Sequence, residues 1–139
     1  METLRPRRAA TARGLSSFFR ALKVARKGTS NYRIMVEGRA AHAGLEPERG
    51  VNAGIALAGI VLALDAIADP DAGTTVTPTT LAAGTTANTV PAQAQVQVDV
   101  RARTVGEQHR VDRAIRALTT PVPGARIIVA GGPHRPPLE

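Results

Sequence analysis

Three residues in this chain of 139 have the type and setting to do chemistry: His42, Asn88 and Arg101. His42 lies in the run Gly38-Arg39-Ala40-Ala41-His42-Ala43-Gly44. Its small neighbours leave the backbone bare, so a substrate or a second chain can approach closely. Asn88 opens the run Asn88-Thr89-Val90-Pro91, and Arg101 follows thirteen residues later. Taken singly, each has a plainer reading. His42 is then a loop histidine bonded to backbone, Asn88 a turn residue, and Arg101 a surface arginine paired with Asp99 or a neighbour.

Other chemistries lack their residues. Two-metal hydrolysis needs several convergent His, Asp and Glu ligands and an open position for water. The three histidines are His42, His109 and His134, and none belongs to an H-x-D, H-E-x-x-H or H-x-x-x-H pattern. There is no adjacent Glu-Glu pair. His109 falls on the polar side of a helix and reads as solvated, and His134, beside prolines, reads as a loop histidine. No nucleophile elbow or phosphate loop is present. Without cysteine there is no disulfide, thiol nucleophile or thiolate metal site, which fits a cytoplasmic protein.

The net charge of +7 points first to nucleic acid, but its distribution does not. Residues 1–27 hold eight of the 18 basic residues and one of the 11 acids, while the remainder holds ten of each. Two Phe and one Tyr make no base-stacking platform. Specific nucleic-acid binding is not expected. No apolar run reaches the roughly 18 residues of a spanning helix, so no membrane role is expected either.

The elements that must position these residues follow from periodicity. Residues 1–20 are Arg-rich, without sustained period, and read as a disordered or non-native leader; a domain is expected over 21–139. Tyr32, Ile34 and Val36 alternate with Arg33, Met35 and Glu37 as a half-buried strand. A helix is expected over Val51–Ala68, with Val51, Ile55, Ala58 and Leu62 on one side and Leu57, Val61, Leu64 and Ile67 widening its apolar face. Gly54 and Gly59 weaken such a helix unless another helix packs closely there. Thr74–Leu81 reads as a strand that Pro78 confines to a sheet edge. Gln93–Arg103 alternates cleanly, with Ala94, Val96, Val98, Val100 and Ala102 facing one way. Thr104 and Glu107 form a capping-box pattern before a helix that buries Val111, Ala114, Ile115 and Leu118. Ala125–Ala130 is a short last strand and Gly131–Glu139 an irregular exit. The order predicts an α+β, ferredoxin-like βαββαβ sandwich: a four-stranded antiparallel sheet with two helices on one face.

In combination these motifs resemble one module. Arg26-Lys27-Gly28, Tyr32 in a strand, the Gly38–Gly44 run, Pro47-Glu48 with Gly50-Val51-Asn52-Ala53, Asn88–Pro91 and Arg101 match it in order and spacing. The module is the lid, or dimerisation, domain of the di-zinc metallopeptidases that include glutamate carboxypeptidase, aminoacylase, acetylornithine deacetylase and succinyl-diaminopimelate desuccinylase. The resemblance implies a parental reaction: hydrolysis of an amide bond next to a free carboxylate. It implies that His42 reaches across a homodimer to stabilise the oxyanion in the partner's site, and that Asn88 and Arg101 bind substrate. Zinc and the general-base glutamate would belong to a catalytic domain that is expected to be missing here, making the chain a fragment inactive by itself. The homodimer is expected to form through the first helix and the edge strand. The alternative is a non-catalytic dimerisation module.

Overall fold

The computed structural model describes residues 25–139; the expected leader over 1–20 lies outside them. Four strands and two helices follow in the order β1 (Gly28–Glu37), α1 (Ala53–Ile67), β2 (Thr75–Ala83), β3 (Gln93–Ala102), α2 (Val105–Arg116) and β4 (Arg126–Arg135). The strands form one antiparallel sheet in the order β2-β3-β1-β4. This is the expected βαββαβ fold, with β2 at an edge. The pairing of β2 with β3 slips between Pro78 and Thr80, so the proline sits at an irregularity of that edge strand.

The core lies between the sheet and the helices. Tyr32, Ile34 and Val36 of β1 and Val96, Val98 and Val100 of β3 are buried, while the alternate residues of both strands face away from the helices. Helix α1 packs chiefly over β2 and β3, and α2 over β4 and β1. Two of the expected helix boundaries and faces need correction. First, α1 begins at Ala53, because Asn52 caps it: the Asn52 side chain accepts the Ile55 N–H at 3.0 Å. Second, α1 buries Ala53, Ala56, Leu57, Ile60 and Leu64. The expected pair Ile55 and Leu62 is instead 63% and 74% exposed. Among the described residues nothing lies within 4 Å of a Cβ added at Gly59, so that side of α1 is open.

The last strand also departs from expectation, running to Arg135 rather than stopping at Ala130. Gly131, at φ 94°, pairs with Tyr32, and a register shift follows between Pro133, opposite Ser30, and Arg135, opposite Thr29. Any Cβ at Gly131 would overlap the Asn31 carbonyl, so only glycine lets the strand continue. At α2 the Thr104 hydroxyl accepts the Glu107 N–H at 3.1 Å, but the Glu107 carboxylate turns to Thr74 and Arg110 instead of closing the capping box. The Arg110 and Thr74 hydrogen bonds hold the Glu107 carboxyl below the usual carboxylate range, against the opposing effect of burial.

Candidate functional site

The loop after β1 places His42. Gly38 donates to the Ala92 carbonyl at 2.7 Å, and Arg39 exchanges hydrogen bonds with Val51. The chain then runs beside residues 88–90 as a short antiparallel ribbon. Val90 donates to the Ala41 carbonyl at 2.8 Å and Ala43 to the Asn88 carbonyl at 2.9 Å, bridging His42 to Thr89. A turn follows, closed by the Glu46 N–H on the His42 carbonyl at 2.9 Å, and Pro47–Arg49 continue as a single 3-10 turn.

The ring of His42 is also tied to its own turn. Its Nδ1 accepts the main-chain N–H groups of Gly44 at 3.2 Å and Leu45 at 3.1 Å. Among the described residues Nε2 has no hydrogen-bond partner, and His42 is exposed. Leu45 beside it is 77% exposed. Asn88 is exposed too; its side-chain oxygen lies 3.3 Å from the Thr86 hydroxyl, which makes the shorter contact of 2.8 Å with Thr89. A cavity of about 440 Å³ adjoins the ribbon at Ala40 and Thr89. Met35, Gln95 and Ile128 line it from the face of the sheet turned away from the helices.

Thus His42 and Asn88 are brought together, and Arg101 is not. Arg101 pairs with Thr29 and Thr75 at the opposite end of the sheet. At about 3.3 Å per residue, the run of β3 from Gln93 to Arg101 is roughly 26 Å long. Its guanidinium grips Asp99 through Nε at 3.1 Å and Nη2 at 3.3 Å. Of the other histidines, His109 and His134 are both exposed. Among the described residues no group of three His, Cys, Asp or Glu side chains is placed to hold a metal ion, so zinc does not fit this donor set. No helix among them is long and apolar enough to cross a membrane.

A family profile described as peptidase dimerisation domain matches residues 24–123. The chain belongs to the peptidase dimerisation-domain family. Its sequence is 41% identical over 92 residues to one of the p-aminobenzoyl-glutamate hydrolase subunits of Escherichia coli, covering 65% of this chain and 21% of that protein. The dimerisation domain also superposes on an aminobenzoyl-glutamate utilization protein from Klebsiella pneumoniae, with a TM-score of 0.63 and 29% identity over 81% of this chain and 30% of that one. A putative aminohydrolase from methicillin-resistant Staphylococcus aureus shares the fold alone, with a TM-score of 0.74 and 19% identity over 82% of this chain and 32% of that one. The chain therefore spans about a fifth of the curated relative and under a third of these solved chains.

The backbone hold on His42 agrees with its plainer reading as a loop histidine; which amides hold the ring was not readable from the sequence. Main-chain donors leave no residue signature. The cavity was missed because Met35 and Ile128 lie on the face expected to be solvated.

Proposed function

We propose that this dimerisation domain serves as the lid of a zinc-dependent amidohydrolase or carboxypeptidase that cleaves an amide next to a free carboxylate. The observation that carries the reading is the outward-facing Nε2 of His42 on a ribbon shared with Asn88. A fixed N–H donor of this kind suits the oxyanion that develops when an amide carbonyl is attacked. The E. coli relative supports the substrate class, since its name describes a hydrolase of an aminobenzoyl amide of glutamate. Zinc and the general base would sit on a catalytic domain. A cytoplasmic, reducing compartment suits the cysteine-free sequence.

Self-association belongs to this reading and explains two features left open by the single chain. Ile55, Ala58, Gly59 and Leu62 form an exposed apolar stripe on α1, next to edge strand β2 with Leu81 54% exposed. A two-fold axis that pairs β2 antiparallel with its copy would extend the sheet and bring the two α1 stripes side by side. The same axis sets the Thr75 end of one β2 beside the Ala83 end of the other. Arg101, in register with Thr75, then lies at the end of the joined sheet that carries the partner's His42 and Asn88. Separation within one chain thus becomes proximity between two. An arginine there would hold a substrate carboxylate by a bidentate pair once released from Asp99.

The test is a graft of this lid onto a related catalytic domain, followed by His42→Ala. A fall in kcat with little change in KM supports the reading. Unchanged kcat favours the second reading, a non-catalytic dimerisation module, which the apolar α1 stripe alone would satisfy.

A further inference from the structure

We propose that the main-chain amides of Gly44 and Leu45 lock His42 as the Nε2–H tautomer, making it a donor dedicated to an oxygen acceptor and closed to metal. This rests on the reading of His42 as an oxyanion donor and says how the chain builds that donor.

A neutral imidazole carries one proton, and the nitrogen without it is an acceptor. Two N–H groups, 3.2 and 3.1 Å away, converge on Nδ1 of His42. A proton on Nδ1 would face both of them, losing two hydrogen bonds and setting N–H against N–H. The proton therefore resides on Nε2, the nitrogen that faces away from its own turn. Ordinarily a second side chain or a carbonyl fixes a functional histidine through its other nitrogen, and the polarity of that partner selects the tautomer. A carbonyl or carboxylate would fix Nδ1–H and leave Nε2 as a lone pair for a proton or a metal. Here the partners are donors, so the outcome is reversed. Nε2 is left with a hydrogen to offer a carbonyl oxygen or an oxyanion.

The device is local and rigid. The Glu46 N–H closes the same turn on the His42 carbonyl, and the ribbon to Thr89 holds the residue from the other side. No side chain takes part, so residue 45 is free in type: the Leu45 side chain is exposed while its amide serves the ring. Gly44 is free in the same sense. A Cβ there would stand 3.5 Å from Cε1 of His42, an ordinary contact. Gly44 and Leu45 are thus positioning residues, acting through His42.

Long-range proton–nitrogen correlation spectra of the chain itself test this. The spectra are recorded near pH 8, where an ordinary imidazole of pKa about 6.5 is neutral. The proposal requires one tautomer at His42, with Nδ1 at the lone-pair position and Nε2 at the protonated position. His109 and His134, both exposed, are internal references and should show averaged nitrogens. Leu45→Ala keeps the amide and should leave the His42 pattern unchanged. Zinc chloride added to the chain should broaden His42 no more than His109 and His134. An Nδ1–H pattern or averaged nitrogens at His42 overturns the proposal. So does loss of the single tautomer in Leu45→Ala, or selective broadening of His42 by zinc. These spectra need no catalytic domain, so their failure is separate from a failure of the grafted-enzyme test.

Discussion

Asn88 and His42 are fastened together through their main chains. The Asn88 carbonyl accepts the Ala43 N–H at 2.9 Å, and His42 itself bridges Thr89. Two polar side chains 46 positions apart in sequence are therefore presented as one unit at one end of the sheet. Arg101 is held at the other end by Asp99.

This division predicts different kinetic effects in a grafted enzyme. His42→Ala should lower kcat by on the order of 10²–10³, the usual cost of one oxyanion donor. Arg101→Ala should chiefly raise KM, because a grip on a distant carboxylate acts about equally on ground and transition states. Steady-state kinetics on an acyl-glutamate substrate distinguish the two. A His42 variant altered only in KM would contradict the assignment.

The α1 stripe predicts a two-chain particle at micromolar concentration. Ile55→Asp combined with Leu62→Asp should convert it to one chain in light scattering without loss of helical circular dichroism, since both side chains are exposed. Leu45→Asp, on the His42 loop, should leave the mass at two chains. A wild-type chain that stays single at high concentration would remove α1 and β2 as the interface.

The chain alone, with zinc added, should show no turnover of acyl-amino acids, because its described residues supply no ligand set for zinc. Activity that survives repurification and disappears in His42→Ala would contradict this.

Stability should depend on acid through Asp112. Burial opposes its ionisation, but the Tyr32 hydroxyl, donating at 2.7 Å, and the Arg116 guanidinium outweigh burial and hold the carboxyl below the usual carboxylate range. Burial, followed by the Asp112 hydrogen bond and charge, pushes the Tyr32 hydroxyl up, so it remains a donor across the working range. A folded pKa below the unfolded one stabilises at pH above the unfolded value of about 4. That contribution is lost as pH falls through the folded pKa. Glu107, lowered by Arg110 and Thr74, adds in the same direction. Urea unfolding at pH 7 and pH 3 should show a smaller difference for Asp112→Asn than for wild type. Tyr32→Phe should cost about 1–3 kcal/mol at pH 7, leaving a partly buried carboxylate short of a donor.

Much of the fold was legible because β1 and β3 alternate cleanly and Thr104 marks the start of α2. The buried side of α1 was not. Ala, Ile, Leu and Val surround that helix, so periodicity does not choose between the Ile55 and Ile60 sides; only packing against the sheet does. The end of β4 was hidden by Gly131, Gly132 and Pro133, which read as breakers but pair in register with Tyr32, Asn31 and Ser30. His42 was marked by its small neighbours and Asn88 and Arg101 by the family resemblance; the fold brings only His42 and Asn88 together. The Asp99 pairing of Arg101 agrees with its plainer reading. The backbone bonding of His42 also agrees with its plainer reading; which two amides hold the ring was illegible because amide donors belong to every residue.

The central claim is that His42 serves the partner's site, and mixing of subunits tests it most directly. In the grafted enzyme, a His42→Ala chain is mixed with a chain whose own zinc site is destroyed. Each heterodimer then pairs one intact zinc site with one intact His42 from the other subunit. The account predicts activity well above both parents, approaching one working site per dimer. Background activity, with exchange of subunits verified, would contradict it.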